Sequence, residues 1–295
     1  MSVLRTMTWA SMSESQRADL CARGIADIFD PSLREAISSL IDDVKANGDD
    51  AVCRALVKFD GVTLRPDQLT ISPEAIASAS IEPELEVALA HAVDNLRRFN
   101  TVLLERQSDW RTEIEPGLVA GEKVSPISSA GLFVPSGKAS YPSVAYQLGV
   151  PAVVAGVPDI ALIVPPQPGA NGDVDPAVLV VCRMLGISRV YRANGPAGIA
   201  ALGFGTESIA PVRKIVGPGS PAVTCAQVEM QRHGVATMML LGPTESLVIA
   251  DTSADPIRLA ADLLIEAEHG TDSSVVLVAT SMEVITKVRS EEHTS

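Results

Sequence analysis

The residues with the clearest chemical potential are an acid and a histidine in the stretch LLIEAEHG. Glu266 and His269 lie three residues apart, and on a helix this spacing places both side chains on one face. A carboxylate oxygen and an imidazole nitrogen could supply two of the four ligands of a catalytic zinc ion. Glu268 points elsewhere, either to solvent or to a position from which it orients the histidine. A second interpretation stays open, in which His269 complements the dipole at a helix carboxyl terminus and Glu266 is its ion-pair partner.

Three turns rich in glycine and proline fall at predicted helix ends and strand carboxyl ends, where parallel sheets bind their ligands. Their sequences are VPSGKASYPS, VGPGSPA and LGPTES. The residues GPGSPA, Gly217 to Ala222, have the spacing of a dinucleotide-binding loop. However, Pro218 lacks an N–H donor, and no acidic residue ends a following strand at the expected distance. Considered without further context, all three segments are ordinary turns.

These sites require a sheet that brings strand ends together, and the sequence predicts one from residue 117 onward. Apolar runs such as IALIVPP alternate with helical patterns such as DPAVLVVCRMLG. Strands that are apolar throughout and joined by helices indicate a parallel sheet covered on both faces. The predicted class is α/β, with two Rossmann-like parallel-sheet domains, the second incomplete, preceded by a helical N-terminal region. The predicted divisions are 1–116 (mainly helical), 117–243 (Rossmann-like), 244–288 (start of a second α/β unit with half of a metal site) and 289–295 (non-native tail).

The N-terminal region carries helix signals at both ends of its periodic segments. In FDPSLREAISSLIDDVKANGDD, Asp30 can cap a helix, Pro31 suits its first position and Gly48 can end it. The segment from Pro83 to Trp110 repeats the same period and predicts a long amphipathic helix.

Composition excludes several classes of partner. The chain has 36 acidic and 23 basic residues, a formal net charge of −13, and no cluster of Lys and Arg. Such a surface repels nucleic acid and anionic lipid. The four cysteines are far apart without metal-binding spacing, which indicates reduced thiols. Because the sequence also shows neither a signal peptide nor a long apolar span, we expect a cytoplasmic protein with no membrane contact.

Several long motifs resemble those of bacterial histidinol dehydrogenases. They are GLFVPSGKASYPS, VPAVVAGV, GIAALGFGTESI, KIVGPG, GPTESLVIAD and ADLLIEAEHG, and they occur in the family's order between about residues 30 and 288. The resemblance implies an NAD-dependent, zinc-requiring homodimer of α/β domains. It also implies a small amino alcohol as substrate, with L-histidinol oxidised to L-histidine by two hydride transfers in histidine biosynthesis.

The resemblance assigns roles to residues of the metal and substrate site. His269 matches a zinc ligand, and Glu266 stands where the family has a zinc-ligating glutamine. A carboxylate in place of an amide keeps an oxygen donor but adds negative charge, which should lower the Lewis acidity of the zinc. Thr244 matches a substrate-contacting serine and keeps the hydroxyl group. Thr244, Glu266 and His269 are therefore the expected substrate contacts.

The resemblance also assigns the contacts to NAD. Phe133 matches a tyrosine, Ala197 a glutamine and Ser220 an asparagine. All three substitutions shorten or remove a polar group, so the affinity for the cofactor and its identity are expected to differ from the family's. A second hypothesis for the function is therefore a paralogous dehydrogenase of another polar alcohol or amino alcohol.

The resemblance places further catalytic groups beyond the last residue of this chain. Family members continue with a Pro-Glu-His motif that does the acid and base chemistry, and with an Asp and a His that complete the zinc site. We therefore expect no catalytic residue in this chain, a fragment that is inactive alone, and low zinc occupancy. The final segment RSEEHTS matches no family motif and resembles a translated sequencing adapter. Residues 289–295 are therefore predicted to be non-native.

Two alternatives come from other functional classes. The chain could be a non-catalytic α/β binding module that keeps the fold without the chemistry. It could also use a thiol mechanism of the aldehyde dehydrogenase type through Cys225 in VTCAQ. The sequence shows no His or Lys close to Cys225 that would lower its pKa, which argues against the thiol mechanism.

Overall fold

The computed structural model describes residues 6–21, 30–135, 141–167, 172–238, 244–265 and 273–292. The chain forms two compact units. The larger unit is Ile28–Leu241, and the smaller unit combines Met1–Asp27 with Gly242–Ser295.

The larger unit is built on a parallel five-stranded sheet. Its strands are β3 (Ser129–Phe133), β4 (Asp159–Val164), β5 (Arg189–Arg192), β6 (Lys214–Val216) and β7 (Ala236–Thr237), in the order β5-β4-β3-β6-β7. The chain therefore builds outward from β3 on one side and then returns to build β6 and β7 on the other. This order is that of a doubly wound sheet, as the α/β prediction requires.

Helices follow the strands in regular alternation, as predicted. They are α5 (Pro142–Val154), α6 (Pro176–Leu185), α7 (Gly195–Phe204) and α8 (Pro221–Gln231). Each has proline in its first turn, where the missing N–H has no consequence for the helix. Side chains cap two of them, since Asp175 accepts a hydrogen bond from the Ala177 N–H and Asn194 accepts one from the Gly195 N–H.

Alternate residues of the strands point into two separate cores. Leu132 and Leu162 face a core formed with α5 and α6, whereas Phe133 and Ile163 face a core formed with α7 and α8. All four side chains are buried. Both faces of the sheet are thus covered, which explains why the strands are apolar at nearly every position.

Helices of the N-terminal segment complete these two layers. They are α2 (Pro31–Ala55), α3 (Pro73–Ser78) and α4 (Pro83–Glu105). The buried residues of α2 join the core of α7 and α8, and those of α3 and α4 join the core of α5 and α6. Asp30 caps α2 through the N–H groups of Ser32 and Leu33, and Gly48 breaks its helical geometry at φ 51° and ψ −132°, as the cap and stop signals predict.

The stretch Leu69–Ile71 protects an edge of the sheet. Thr70 bridges Tyr191 in antiparallel orientation, the Ile71 N–H donates to the Val190 carbonyl, and the Arg192 N–H donates to the Leu69 carbonyl. The outer strand β5 is therefore paired on both sides, which removes an exposed template for association with other strands.

The sequence pattern misplaced the end of α4 and missed a strand. The predicted helix to Trp110 ends at Glu105, and β1 (Trp110–Glu115) pairs with β2 (Leu118–Glu122) as an antiparallel hairpin. The Asp109 carboxylate accepts the Val124 N–H at 2.7 Å and holds the base of this hairpin. That contact joins residues 15 positions apart, so the helical period of the segment up to Trp110 could not predict it.

The smaller unit contains a second strand–helix–strand–helix run. Its elements are β8 (Glu245–Ala250), α9 (Pro256–Leu264), β9 (Ser274–Ala279) and α10 (Met282–Glu292), with α1 (Glu14–Cys21) from the N-terminal segment. β8 and β9 are parallel neighbours, and α9 and α10 pack on one side of them. This run agrees with the predicted start of a second α/β unit, and α10 includes Arg289 of the segment predicted to be a non-native tail.

Among the described residues no helix is long and apolar enough to cross a membrane.

Candidate functional site

The candidate cofactor site lies at the carboxyl edge of the five-stranded sheet. β3 and β6 are neighbours, but the helix after β3 packs on one face of the sheet and the helix after β6 packs on the other. The two helices that follow these strands therefore lie on opposite faces of the sheet, and this separation marks a topological switch point. Doubly wound sheets bind their ligands in the crevice that this separation opens.

The loop after β6 lies directly against the end of β3. Gly217 has φ +145°, and a Cβ atom there would lie 2.2 Å from the Phe133 carbonyl oxygen. The buried Gln227 side chain donates to the Gly217 carbonyl at 2.9 Å. Because only glycine tolerates this approach, the first glycine of GPGSPA holds the loop against its neighbouring strand.

The Ser220 hydroxyl group lies at the start of α8 and is not used to cap the helix. Ser220 is the N-cap residue, it is exposed, and its side chain makes no capping hydrogen bond with the helix. The N-terminus of a helix carries partial positive charge and unpaired N–H groups, which suit an anionic group of a ligand. Ser220 is thus well placed to contact a ligand at this edge.

At the end of β5, a side-chain pair shapes the start of α7. The Asn194 amide nitrogen donates to Asp60 Oδ1 at 2.5 Å, and Asn194 Oδ1 accepts the Gly195 N–H at 2.7 Å. Burial raises the pKa of the Asp60 carboxyl group, and the hydrogen bond from Asn194 opposes that rise. A half-buried carboxyl group therefore stands beside Asn194, the N-cap residue of α7, which lies three residues before Ala197.

The structure brings the three predicted NAD contacts to one edge of one sheet. Phe133 ends β3, Ala197 lies in the first turn of α7, and Ser220 is the N-cap residue of α8. Their exposure differs, because Phe133 and Ala197 are 1% and 2% exposed in a shared core, whereas Ser220 faces solvent. Of the three side chains, Ser220 has the direct access that a ligand needs.

The predicted metal and substrate residues belong to the smaller unit. Thr244 is exposed just before β8, and its carbonyl accepts the Ser274 N–H at 3.1 Å. Glu266, Glu268 and His269 lie outside the described residues. Within the described residues, no group of three or more His, Cys, Asp or Glu side chains could hold a metal ion.

Cys225 has the surroundings of a structural thiol. It lies on the buried side of α8, in the core of the larger unit. Burial raises the pKa of its thiol, and the negative charge of Glu229 raises it further. A catalytic cysteine needs a lowered pKa to supply a thiolate at neutral pH. These surroundings oppose the thiol mechanism, in line with the sequence argument.

Asp60 and Asn194 were not predicted from the sequence to be residues of the cofactor site. Each has a local signal, since Asp60 precedes a glycine at a helix end and Asn194 precedes Gly-Pro after an apolar strand. These signals predict a turn and a cap. They do not show that the two side chains meet across a separation of 134 residues.

Comparison with known proteins gives consistent matches. A family model described as histidinol dehydrogenase matches residues 26–294, which includes most of the predicted non-native tail. The chain is 39% identical over 98% of its length to a histidinol dehydrogenase of Xanthomonas campestris pv. campestris, and 39% identical over 93% to "Histidinol dehydrogenase homolog 2" of Mesorhizobium japonicum. It spans 66% and 62% of the lengths of these two proteins. The crystal structure of histidinol dehydrogenase from Elizabethkingia anophelis matches 89% of this chain and 60% of that one, with a TM-score of 0.82 and 34% identity.

Proposed function

The chain belongs to the histidinol dehydrogenase family, and from this premise we propose that it provides the NAD-binding part of an oxidoreductase acting on a small amino alcohol. L-Histidinol, oxidised to L-histidine in histidine biosynthesis, is the first candidate substrate. The observation that carries the proposal is the position of Phe133, Ala197 and Ser220 along the carboxyl edge of one doubly wound sheet. NAD accepts the hydride in this chemistry, and the residues of this edge would bind and orient it.

The proposal extends to a zinc site in the smaller unit. Glu266 and His269 would supply two donors, and the Thr244 hydroxyl would contact the substrate. The zinc would polarise the alcohol oxygen when it is bound. A homodimer in the cytoplasm is the proposed state of the working enzyme, on the strength of the family membership.

Binding of NADH, followed by its fluorescence, tests the cofactor site. Ser220→Asn restores the family residue and keeps an equally good N-cap, so the helix should be unaffected. One added hydrogen bond of about 1 kcal/mol should tighten NADH binding roughly fivefold. The matched control is Ser253→Asn, an exposed serine of the smaller unit far along the chain from the sheet edge. Absence of NADH binding in both the wild-type chain and Ser220→Asn would refute the cofactor site.

A paralogous dehydrogenase is the second candidate function. The substitutions at Phe133, Ala197 and Ser220 favour it, because all three change the same predicted contact surface. Measuring NADH formation with L-histidinol and with other amino alcohols separates the two candidates, in a protein that extends this chain with the expected acid, base and zinc residues of the family. A substrate other than histidinol that is oxidised at least tenfold faster would select the paralogue.

A non-catalytic module predicts a different result in a metal assay. In a protein that extends this chain with the expected Asp and His ligands, the enzymatic hypothesis predicts bound zinc that decreases in His269→Ala and is retained in Glu266→Gln, since the amide oxygen is still a donor. The module expects no bound zinc in any of the three proteins. Elemental analysis after dialysis at neutral pH distinguishes these outcomes.

A further inference from the structure

Asp60 reaches the carboxyl edge of the sheet from the N-terminal helical segment. It ends the helical turn Leu56–Asp60 that continues α2, and Gly61 reverses the chain immediately after it with φ +68°. Its carboxylate accepts the Asn194 amide at 2.5 Å, beside the first turn of α7. An acidic group is thereby placed just beyond the carboxyl end of β5.

The start of α7 is unfavourable for a phosphate group. The Gly195 N–H already donates to Asn194 Oδ1, and Pro196 has no N–H to offer. The Asp60 charge is half-buried, so water screens its repulsion of a phosphate less than it would at an exposed site. A carboxylate keeps several acceptor positions after one hydrogen bond, and these suit the hydroxyl groups of a ribose.

The start of α8 contrasts with this arrangement. Ser220 makes no side-chain cap there, and the loop before it is held by glycine against β3. The two helix starts at one sheet edge therefore differ in the ligand groups that they favour. An anion suits the α8 start, and a neutral sugar suits the α7 start.

We propose that Asp60 is a specificity-determining residue, which makes this edge accept a dinucleotide with free ribose hydroxyl groups and reject one with an additional ribose phosphate. The proposal rests on the proposed function, because it assumes that the edge binds a dinucleotide. Asp60 would favour NAD over NADP through a carboxylate that comes from the N-terminal segment and not from a residue directly after a strand.

Fluorescence titration with NADH and NADPH at neutral pH tests the role of Asp60. Asp60→Asn removes the charge while its amide oxygen can still accept the hydrogen bond from Asn194. We expect the wild-type chain to prefer NADH, and Asp60→Asn to reduce that preference about tenfold. Asp60→Glu keeps a carboxylate and should retain the preference. Asp42→Asn, an exposed site on α2, is the matched control for loss of one negative charge and should behave as wild type.

The possible outcomes separate this proposal from the cofactor site itself. An unchanged preference in Asp60→Asn, with normal NADH binding, overturns the role of Asp60 and leaves the cofactor site standing. A wild-type chain that binds neither dinucleotide refutes the cofactor site, and the role of Asp60 falls with it. Thermal melting establishes that each variant is folded, and Asp60→Ser, which also accepts a hydrogen bond without charge, replaces Asp60→Asn if that variant does not fold.

Discussion

At the residue scale, the predicted cofactor contacts differ in how they could act. Phe133 and Ala197 lie in the core under the sheet edge, so their substitution relative to the family changes packing as well as polarity. Ser220 is exposed and can change without disturbing the core. Ser220 is for this reason the position at which a gain in cofactor affinity is most directly interpretable.

Glu229 is a buried acid that two arginines keep ionised. It is 7% exposed on α8, where Arg34 donates to it at 2.8 Å and Arg232 at 3.1 Å. Burial raises the pKa of Glu229, but the hydrogen bonds from Arg34 and then Arg232 outweigh it and leave the pKa below 4.5. The ion pairs therefore stabilise the fold above the unfolded pKa, and this stabilisation is lost as the pH falls through the lowered folded value.

We predict that Glu229→Gln lowers the free energy of unfolding by about 1 kcal/mol at pH 7, since both arginines are more than half exposed. The difference from wild type should shrink as the pH is lowered below 4.5. Urea denaturation at pH 7 and at pH 4 and below measures both effects. Asp94→Asn, which breaks an exposed pair with Arg98, is the control and should cost less than about 0.5 kcal/mol. An equal loss in the two variants would contradict the role assigned to burial.

At the element scale, the contact between the β6–α8 loop and β3 sets the shape of the switch point. The loop approaches so closely that the Gly217 position has no space for a side chain. Its carbonyl is also held by Gln227, within the same helix that Ser220 caps. The position of Ser220 at the sheet edge therefore depends on glycine at residue 217.

We predict that Gly217→Ala destabilises the protein by about 3 kcal/mol, because the added Cβ would overlap the Phe133 carbonyl and displace the loop. Weaker NADH binding should accompany this loss. Gly156→Ala is the matched control, since Gly156 has φ +74° but open space around it. The control carries only the backbone strain of about 1 kcal/mol. Comparable destabilisation of the two variants in thermal or chemical unfolding would argue against the close contact.

At the scale of the whole molecule, the larger unit contains everything that the cofactor proposal uses. The five-stranded sheet, its covering helices and Asp60 all lie within Ile28–Leu241. Every described residue of the two cores of this unit lies in that segment. Stability and cofactor binding should therefore be properties of this unit.

We predict that residues 28–241, produced as a separate protein, unfold in one cooperative transition and bind NADH within about threefold of the affinity of the full chain. Circular dichroism during heating and NADH fluorescence measure the two properties. The 295-residue chain is the control in both. Loss of NADH binding in the shorter protein, with the fold retained, would place part of the cofactor site in the smaller unit.

The sequence by itself determined most of the elements and the class of this protein, although it missed β1 and placed the end of α4 too late. Asp30 with Pro31, Gly48, and the alternation of apolar strands with helices all act through neighbours a few residues away, so their periods and caps are visible in one dimension. The family resemblance was visible for the same reason, because its motifs are short and contiguous.

Only the tertiary structure decided how these elements combine. It placed β6 beside β3, used α2, α3 and α4 as the outer layers of the sheet, and joined Asp60 to Asn194 across 134 residues. Such contacts leave no periodic signal, because they depend on which surfaces pack together after the chain has folded back on itself. The position of the Asp60 carboxylate beside the cofactor edge therefore depends on tertiary packing and could not be predicted from the sequence around Asp60.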